Sequence, residues 1–296
     1  MKVGVIGLGS MGGGAALNLV RAGHEVAGVE LRAAARDELR AAGGTPVEAC
    51  RDLPAGLDAI VVFVVNAAQV EQVLFADDAL SHLLSDGVVL CCTTVAPAAA
   101  RDFAARVAAS GRSFLDAPVS GGSTAARGGT MTVMASGPPA AFDRAAPALD
   151  AVAKKVWRLG DQAGAGSTVK MVNQLLAGVH IATAAEAMAL AIKAGADPHT
   201  VYDVITTSAG NSWMFENRVP HILAGDDTPH SAVNIFVKDL GIVLDQARAL
   251  SFPLPLAAAA HQLFLAAAAA GHGAKDDAFV IRFWEALAGI DLPGKA

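Results

Sequence analysis

Lys170, Asn173 and Gln174 stand three and four residues apart in the stretch Gly164-Ala-Gly-Ser-Thr-Val-Lys170-Met-Val-Asn173-Gln174-Leu-Leu. On a helix those spacings put the three side chains on one face. The residues around them are apolar. An ammonium group with amide neighbours is costly in such a setting unless it is put to use. The use that suits it is proton transfer. A free lysine titrates near ~10.4, so a base working near neutrality needs that value lowered, and burial lowers it. The plain alternative is a lysine whose stem lies along the helix while its head reaches water.

A second set of residues suits a dinucleotide. Gly7-Leu8-Gly9-Ser10-Met11-Gly12 follows the apolar run Lys2 to Ile6 and opens a helical run from Gly13 to Ala22. Strand, glycine loop and helix in that order make a dinucleotide fingerprint. The first glycine permits the tight turn, the second lets the backbone approach a pyrophosphate, and the third lets helix and strand pack closely. The helix N-terminus adds N–H donors and the positive end of its dipole. Glu30 closes the next strand, Glu25 to Val29, where a carboxylate binds the adenosine ribose hydroxyls and repels a 2′-phosphate. That points to NAD. Arg32 and Arg36 pull towards NADP. An ordinary βα turn and a surface carboxylate are the alternatives for the loop and for Glu30.

A third set follows the strand Phe114 to Asp116. Ala117-Pro-Val-Ser120-Gly121-Gly122-Ser123 is a run of small residues whose successive N–H groups form an anion-binding concavity. A flexible turn is the alternative.

The elements that must position these groups can be read from hydrophobic period. Residues 58–65 and 87–92 are continuous apolar runs, as parallel strands covered on both faces are. They end at Val65-Asn66 and Thr93-Thr94, where a doubly wound sheet places its ligand loops. Residues 130–136 read as a further strand and 155–159 as an edge strand. From Ser167 to Ala194 no proline intervenes, and strong helix formers fill the run. The predicted helix is roughly 40 Å long. It is apolar nearly all round, which predicts burial, and Ser167 or Thr168 is placed to cap it. Beyond Ala194 the strand pattern stops. Residues 200–207, 235–250, 256–270 and 279–288 read as helices. Residues 209–217, with Asn211, Ser212 and Trp213, are polar and aromatic without clear period. Lys238-Asp239 sets two charges in an apolar helix. The expected architecture is an α/β Rossmann-type N-terminal domain over residues 1–163 and a long interdomain helix over 164–194. An all-helical domain for substrate and oligomerisation follows over 195–296.

Composition agrees with this. A chain of 296 residues, 53% hydrophobic and 17% charged, is expected to be soluble and well cored, with two domains. A net charge of −6 argues against a nucleic-acid partner. Cys50, Cys91 and Cys92 lack metal-ligand spacing and read as buried thiols, so no metal is expected. Residues 1–6 run straight into a strand with no signal-peptide pattern, and the alanine-rich run 257–270 contains His261 and Gln262. A cytoplasmic protein without a membrane span is expected.

Taken together, the chain resembles the β-hydroxyacid dehydrogenases of the 3-hydroxyisobutyrate dehydrogenase family. The resemblance rests on Gly7-Leu-Gly9-Ser-Met11-Gly12, Asp116-Ala-Pro-Val-Ser120-Gly121-Gly122, Gly164-Ala-Gly166-Ser-Thr-Val-Lys170 and Phe236-Val-Lys238-Asp239-Leu240. It covers essentially the whole chain. It implies NAD as cofactor, Lys170 as acid/base, and Ser120, Gly121 and Gly122 on the substrate carboxylate. Val65, Asn66, Thr94 and Lys238 lie on the cofactor side. Two asparagines usually follow the family's lysine, and here Asn173 is followed by Gln174, so the resemblance implies these two amides as substrate ligands. Residues 64–74, 173–180, 210–217 and 230–233 are similar to those of members that act on four-carbon sugar acids. That branch implies oxidation of a small polyhydroxy acid at C2, with Asn211 and Ser212 as candidates for its distal hydroxyls. Tartronate semialdehyde reduction and 3-hydroxyisobutyrate oxidation are the alternatives within the family. A cofactor-binding regulator without catalysis is the alternative outside it, and an imine reductase would be expected to lack the lysine. The family also implies a homodimer or homotetramer.

Overall fold

A computed structural model of the chain describes residues 1–294. Two compact units emerge, Met1–Lys170 and the chain from Met171 onward.

The first unit begins with β1 Lys2–Ile6, α1 Gly12–Arg21, β2 Glu25–Val29, α2 Ala33–Ala41, β3 Thr45–Val47, β4 Leu57–Val62, α3 Ala67–Glu71, β5 Leu83–Cys91, α4 Pro97–Ala109 and β6 Ser113–Asp116. The six strands form one sheet in the order β3-β2-β1-β4-β5-β6, every pair parallel. Its central strands are apolar without alternation because helices cover both faces. Val3, Val5, Ala59, Val61, Val88 and Leu90 fall in one buried cluster. Ile6, Ile60, Val62, Val89 and Cys91 fall in another. The two-residue period of a strand sends neighbours to opposite faces. The strand order reverses between β1 and β4, the place where a doubly wound sheet binds ligands.

The unit continues with β7 Val119–Ser120, α5 Gly122–Gly128, β8 Met131–Ala135, α6 Pro139–Val152 and β9 Ala153–Arg158. A small sheet β7-β8-β9 results, with β7 antiparallel and β9 parallel to β8. Residues 117–123 are therefore no flexible turn. Val119 pairs with Val133 and Ser120 with Thr132.

Helix α7, Ala165–Lys193, starts in the first unit and continues into the second. It is followed by α8 Pro198–Thr206, α9 Trp213–Ala224, α10 Val233–Ala249, α11 Pro255–Ala267 and α12 Arg282–Ala288. In the second unit, Ala177, Ile181, Ala184, Ala185 and Met188 of α7 pack with Phe215, Val219, Phe236, Leu240 and Phe264.

Four expectations change. Helix α7 begins before Ser167, whose hydroxyl does not cap it. The helix is apolar all round but not buried all round, since Val169, Val172, Leu176 and Leu190 are exposed. Residues 209–217 are not irregular throughout, because α9 starts at Trp213 with Ser212 accepting from Phe215 N–H at 3.0 Å. Strand β4 ends at Val62 rather than Val65: Phe63 N–H still donates to Ile6 O, but the chain bends at Val65 and Asn66 to enter α3.

Candidate active site

At the carboxyl edge of the large sheet the loops leave side by side. Gly7 N–H donates to Val29 O at 3.0 Å, Phe63 N–H to Ile6 O at 2.8 Å, Cys92 N–H to Val62 O at 3.0 Å and Ala117 N–H to Cys91 O at 2.9 Å. Each bond carries the first residue of a loop on the last carbonyls of the neighbouring strand. The ladder thus sets loops 7–12, 63–66, 92–94 and 117–122 in one row.

The first loop is built for backbone approach. Gly7 adopts φ +90°, and a Cβ there would lie 2.8 Å from Phe63 O. At Gly12 a Cβ would lie 1.9 Å from Gly7 O. At Gly9 it would meet only an Arg32 nitrogen, at 3.9 Å, so that side of the loop is open. Helix α1 starts at Gly12 with no side-chain cap and no acidic residue in its first turn among the described residues. Uncapped N–H groups and a glycine without neighbours fit a pyrophosphate. Leu8, Ser10 and Met11 complete the loop.

Glu30 follows β2 beside this loop. Its carboxylate accepts from Leu8 N–H at 3.1 Å, Leu31 N–H at 3.0 Å, Arg32 N–H at 3.1 Å and the Arg32 guanidinium at 3.0 and 3.1 Å. Burial pushes its carboxyl up, but the hydrogen bonds and charge of Arg32, with Leu8 N–H, hold it below the usual carboxylate value. The two arginines differ. Arg36 donates to Glu30 O and Leu31 O and pairs with Glu48 at 2.7 Å, so it closes the end of β2. Arg32 is 63% exposed.

Asn66 accepts from Gln69 N–H at 2.9 Å and so caps α3, while Val65 N–H donates to Gln69 Oε1 at 2.7 Å. Buried Thr93 donates to Val64 O at 2.9 Å, which fixes the approach to Val65 and Asn66 and sets the backbone before Thr94. Gly121 and Gly122, at φ +128° and +68°, take a backbone path closed to most L side chains. Cys50, Cys91 and Cys92 are buried and unpaired among the described residues, and burial pushes the Cys91 thiol up to about 12.

Lys170 is 7% exposed. The start of its helix is held by a carboxylate that sequence reasoning missed. Asp116, fully buried at the end of β6, accepts from Gly164 N–H at 2.9 Å, Ser167 N–H at 2.8 Å and Ser167 Oγ–H at 2.7 Å. Ser136 Oγ accepts from Gly166 N–H at 2.9 Å. The cap of α7 therefore comes from Asp116 and Ser136, and Thr168 donates its hydroxyl to Gly164 O. Burial raises the Asp116 carboxyl above its usual value, with these hydrogen bonds opposing.

Within the second unit Asn173 donates to Gln174 Oε1 at 2.9 Å, and Gln174 donates to Asp239, which also pairs with Lys238. Asp239 is 2% exposed. The sequence marked it only as a local charge. In the structure it is the acceptor that organises Gln174 and Lys238. Asn211 donates to Thr206 O at 3.1 Å and Glu216 Oε1 at 2.6 Å. Its own Oδ1 is buried with no hydrogen-bond partner among the described residues.

Known proteins agree with this arrangement. The family profile for the NAD binding domain of 6-phosphogluconate dehydrogenase matches residues 2–160. The profile for the NAD-binding region of NADP-dependent 3-hydroxyisobutyrate dehydrogenase matches residues 164–284. An L-threonate dehydrogenase of Cupriavidus necator is 54% identical over 296 residues, covering 100% of this chain and 99% of that protein. The chain belongs to the 3-hydroxyisobutyrate dehydrogenase family.

An L-threonate dehydrogenase of Escherichia coli K12 is 53% identical, covering 99% of this chain and 96% of that protein. A crystal structure from Salmonella typhimurium described as 3-hydroxyisobutyrate dehydrogenase superposes with a TM-score of 0.91 at 53% identity, covering 96% of this chain and 99% of that one. As a member of the 3-hydroxyisobutyrate dehydrogenase family the protein is an oxidoreductase acting on a CH–OH donor with a nicotinamide cofactor.

Proposed function

We propose that the protein oxidises L-threonate at C2 with NAD, giving 2-oxo-tetronate and NADH. The supporting observation is identity of 54% and 53% along nearly the whole chain to two proteins named L-threonate dehydrogenase. The Salmonella structure supplies the competing substrate, 3-hydroxyisobutyrate, at similar identity. Asn211 favours the sugar acid. Its side chain and the hydroxyl of Ser212 are polar, which suits the hydroxyls of a sugar acid better than a methyl group.

In this reading Ser120 Oγ and the N–H groups of Gly121 and Gly122 hold the substrate carboxylate. Lys170 Nζ, as the neutral amine, takes the proton of the C2 hydroxyl. A nicotinamide held there would supply the acceptor for the hydride from C2. Asn173 turns its carbonyl oxygen to a substrate hydroxyl, having given an amide hydrogen to Gln174. Gln174 acts through Asp239, and Lys238 with Thr94, Val65 and Asn66 serves the nicotinamide end. Ser212 keeps its hydroxyl proton for a distal hydroxyl while its oxygen caps α9. Loop 7–12 holds the pyrophosphate, and Glu30 holds the ribose and sets the preference for NAD. The exposed apolar residues of α7 suit a homo-oligomer.

The test is a panel of L-threonate, 3-hydroxyisobutyrate and tartronate semialdehyde with NAD or NADH. L-Threonate should give the highest kcat/KM. Turnover of 3-hydroxyisobutyrate with none of L-threonate would reverse the assignment. Binding of NAD without turnover of any hydroxyacid would favour a regulator.

A further inference from the structure

The six-residue fingerprint ends at Gly12, yet two more glycines follow it, and a buried asparagine stands one turn further on. Gly14 has no Cβ because α5 lies against it. A Cβ there would fall 2.6 Å from Ala126 C, 2.7 Å from Arg127 N and 2.9 Å from Ala126 O. One turn on, Asn18 is 8% exposed. Its amide donates to Ala126 O at 2.7 Å and Arg127 O at 3.3 Å, besides Gly14 O at 2.9 Å in its own helix. Arg21, a further turn along, donates to Asn18 Oδ1 at 2.7 Å and to Arg127 O at 3.2 Å.

These bonds reinforce the end of α5, where Gly129 N–H reaches Ala126 O at 3.5 Å and Thr130 N–H reaches Ala125 O at 2.9 Å. The helix is seven residues long, Gly122 to Gly128, with glycine at both ends. Isolated helices of that length do not hold in water. The last carbonyls of any helix lack partners within it, and cations suit that end of the dipole. Here Asn18 and Arg21 of α1 supply the donors and the charge. Helix α5 is in turn the continuation of Ser120 and Gly121.

We infer that Asn18 is a positioning residue that fastens the substrate loop, Ser120 to Gly122, to the nucleotide helix α1, so that NAD bound at the start of α1 also orders α5. The inference rests on the substrate reading of that loop given above.

Asn18→Leu keeps the branched shape, with a somewhat larger side chain, and removes the donors. Hydrogen exchange on the intact protein, with and without NAD, reads the coupling without turnover. In the native protein NAD should slow exchange in residues 7–12 and also in 122–129. In Asn18→Leu it should slow 7–12 only. Slowing of 122–129 to the same extent in both proteins, or in neither, overturns the inference. In steady state the L-threonate KM should rise about tenfold, the worth of a lost buried hydrogen bond, while Kd for NAD stays within about twofold. Equal rises in both constants would mean a merely structural residue and would also overturn it. Arg21→Ala, at an exposed site that does not threaten folding, should weaken the NAD response of 122–129 in the same direction. It decides the matter if Asn18→Leu does not fold. Should L-threonate prove not to be the substrate, the exchange measurement still stands by itself.

Discussion

Lys170 carries the chemistry proposed for this protein, and its substitutions separate two roles. If it is the base, Lys170→Ala should lower kcat by about 10² to 10⁴ and leave Kd for NAD unchanged, since the pyrophosphate is proposed to lie on loop 7–12. Oxidation by the native enzyme should rise with pH, because only the neutral amine accepts a proton, and the variant should lose that dependence. Lys170→Arg keeps the charge but cannot act as a base, so it should be as slow as the alanine variant. Near-native kcat from the arginine variant would reduce Lys170 to a carboxylate anchor. Glu30 is the residue proposed to set the choice between NAD and NADP. Glu30→Ala should shift the ratio of kcat/KM for NAD over NADP towards NADP, because it removes the repulsion and releases Arg32. An unchanged ratio would detach Glu30 from the ribose. Glu30 also titrates below its ordinary 4.5 in the folded protein. It therefore adds stability above that pH, which is lost as pH falls through the lower folded value. Glu30→Gln should flatten that part of a Tm-against-pH profile, and an unaltered profile would contradict the hydrogen-bond set around it.

Among the elements, the start of α7 depends on groups from elsewhere in the chain. Asp116 and Ser136 satisfy Gly164, Gly166 and Ser167 N–H. Asp116→Ala should cost about 1 to 3 kcal/mol, the penalty for leaving buried donors unpaired. Chemical denaturation measures it, and a loss within experimental error would show that water replaces the carboxylate. This cap also marks the limit of what the sequence discloses. The glycine loop is legible because all of its physics lies in six consecutive residues after a strand. The same holds for the apolar strands and for the lysine on its helix. The Asp116 cap joins residues 48 and 51 positions apart, so no local pattern announces it, and Ser167 looks like a sufficient cap by itself. Gln174 gives an amide hydrogen to Asp239, 65 positions away, a partner that no local pattern announces. Helix α9 is obscured by Pro220 and a mixed polar and aromatic start. Its signals are Ser212 at the cap and Glu216 in the first turn. Residues 117–123 look like a loop because β7 is two residues long and draws its order from β8.

For the whole molecule, the fold class follows from period alone, but its surfaces do not. An apolar helix predicts burial, yet Val172, Leu176 and Leu190 of α7 are 52%, 49% and 69% exposed. We propose that a second copy of the chain covers them, since contiguous exposed apolar surface marks an interaction site. Light scattering at micromolar concentration should give a multiple of the 29.9 kDa chain. A monomer would leave that face unexplained. Isotopic labelling tests the proposed reaction most directly. With L-[2-²H]threonate and unlabelled NAD, the reduced nicotinamide should carry deuterium at C4, because the hydride leaves C2. Reduced cofactor without deuterium, or none from L-threonate while 3-hydroxyisobutyrate reduces NAD, would contradict oxidation of the sugar acid at C2.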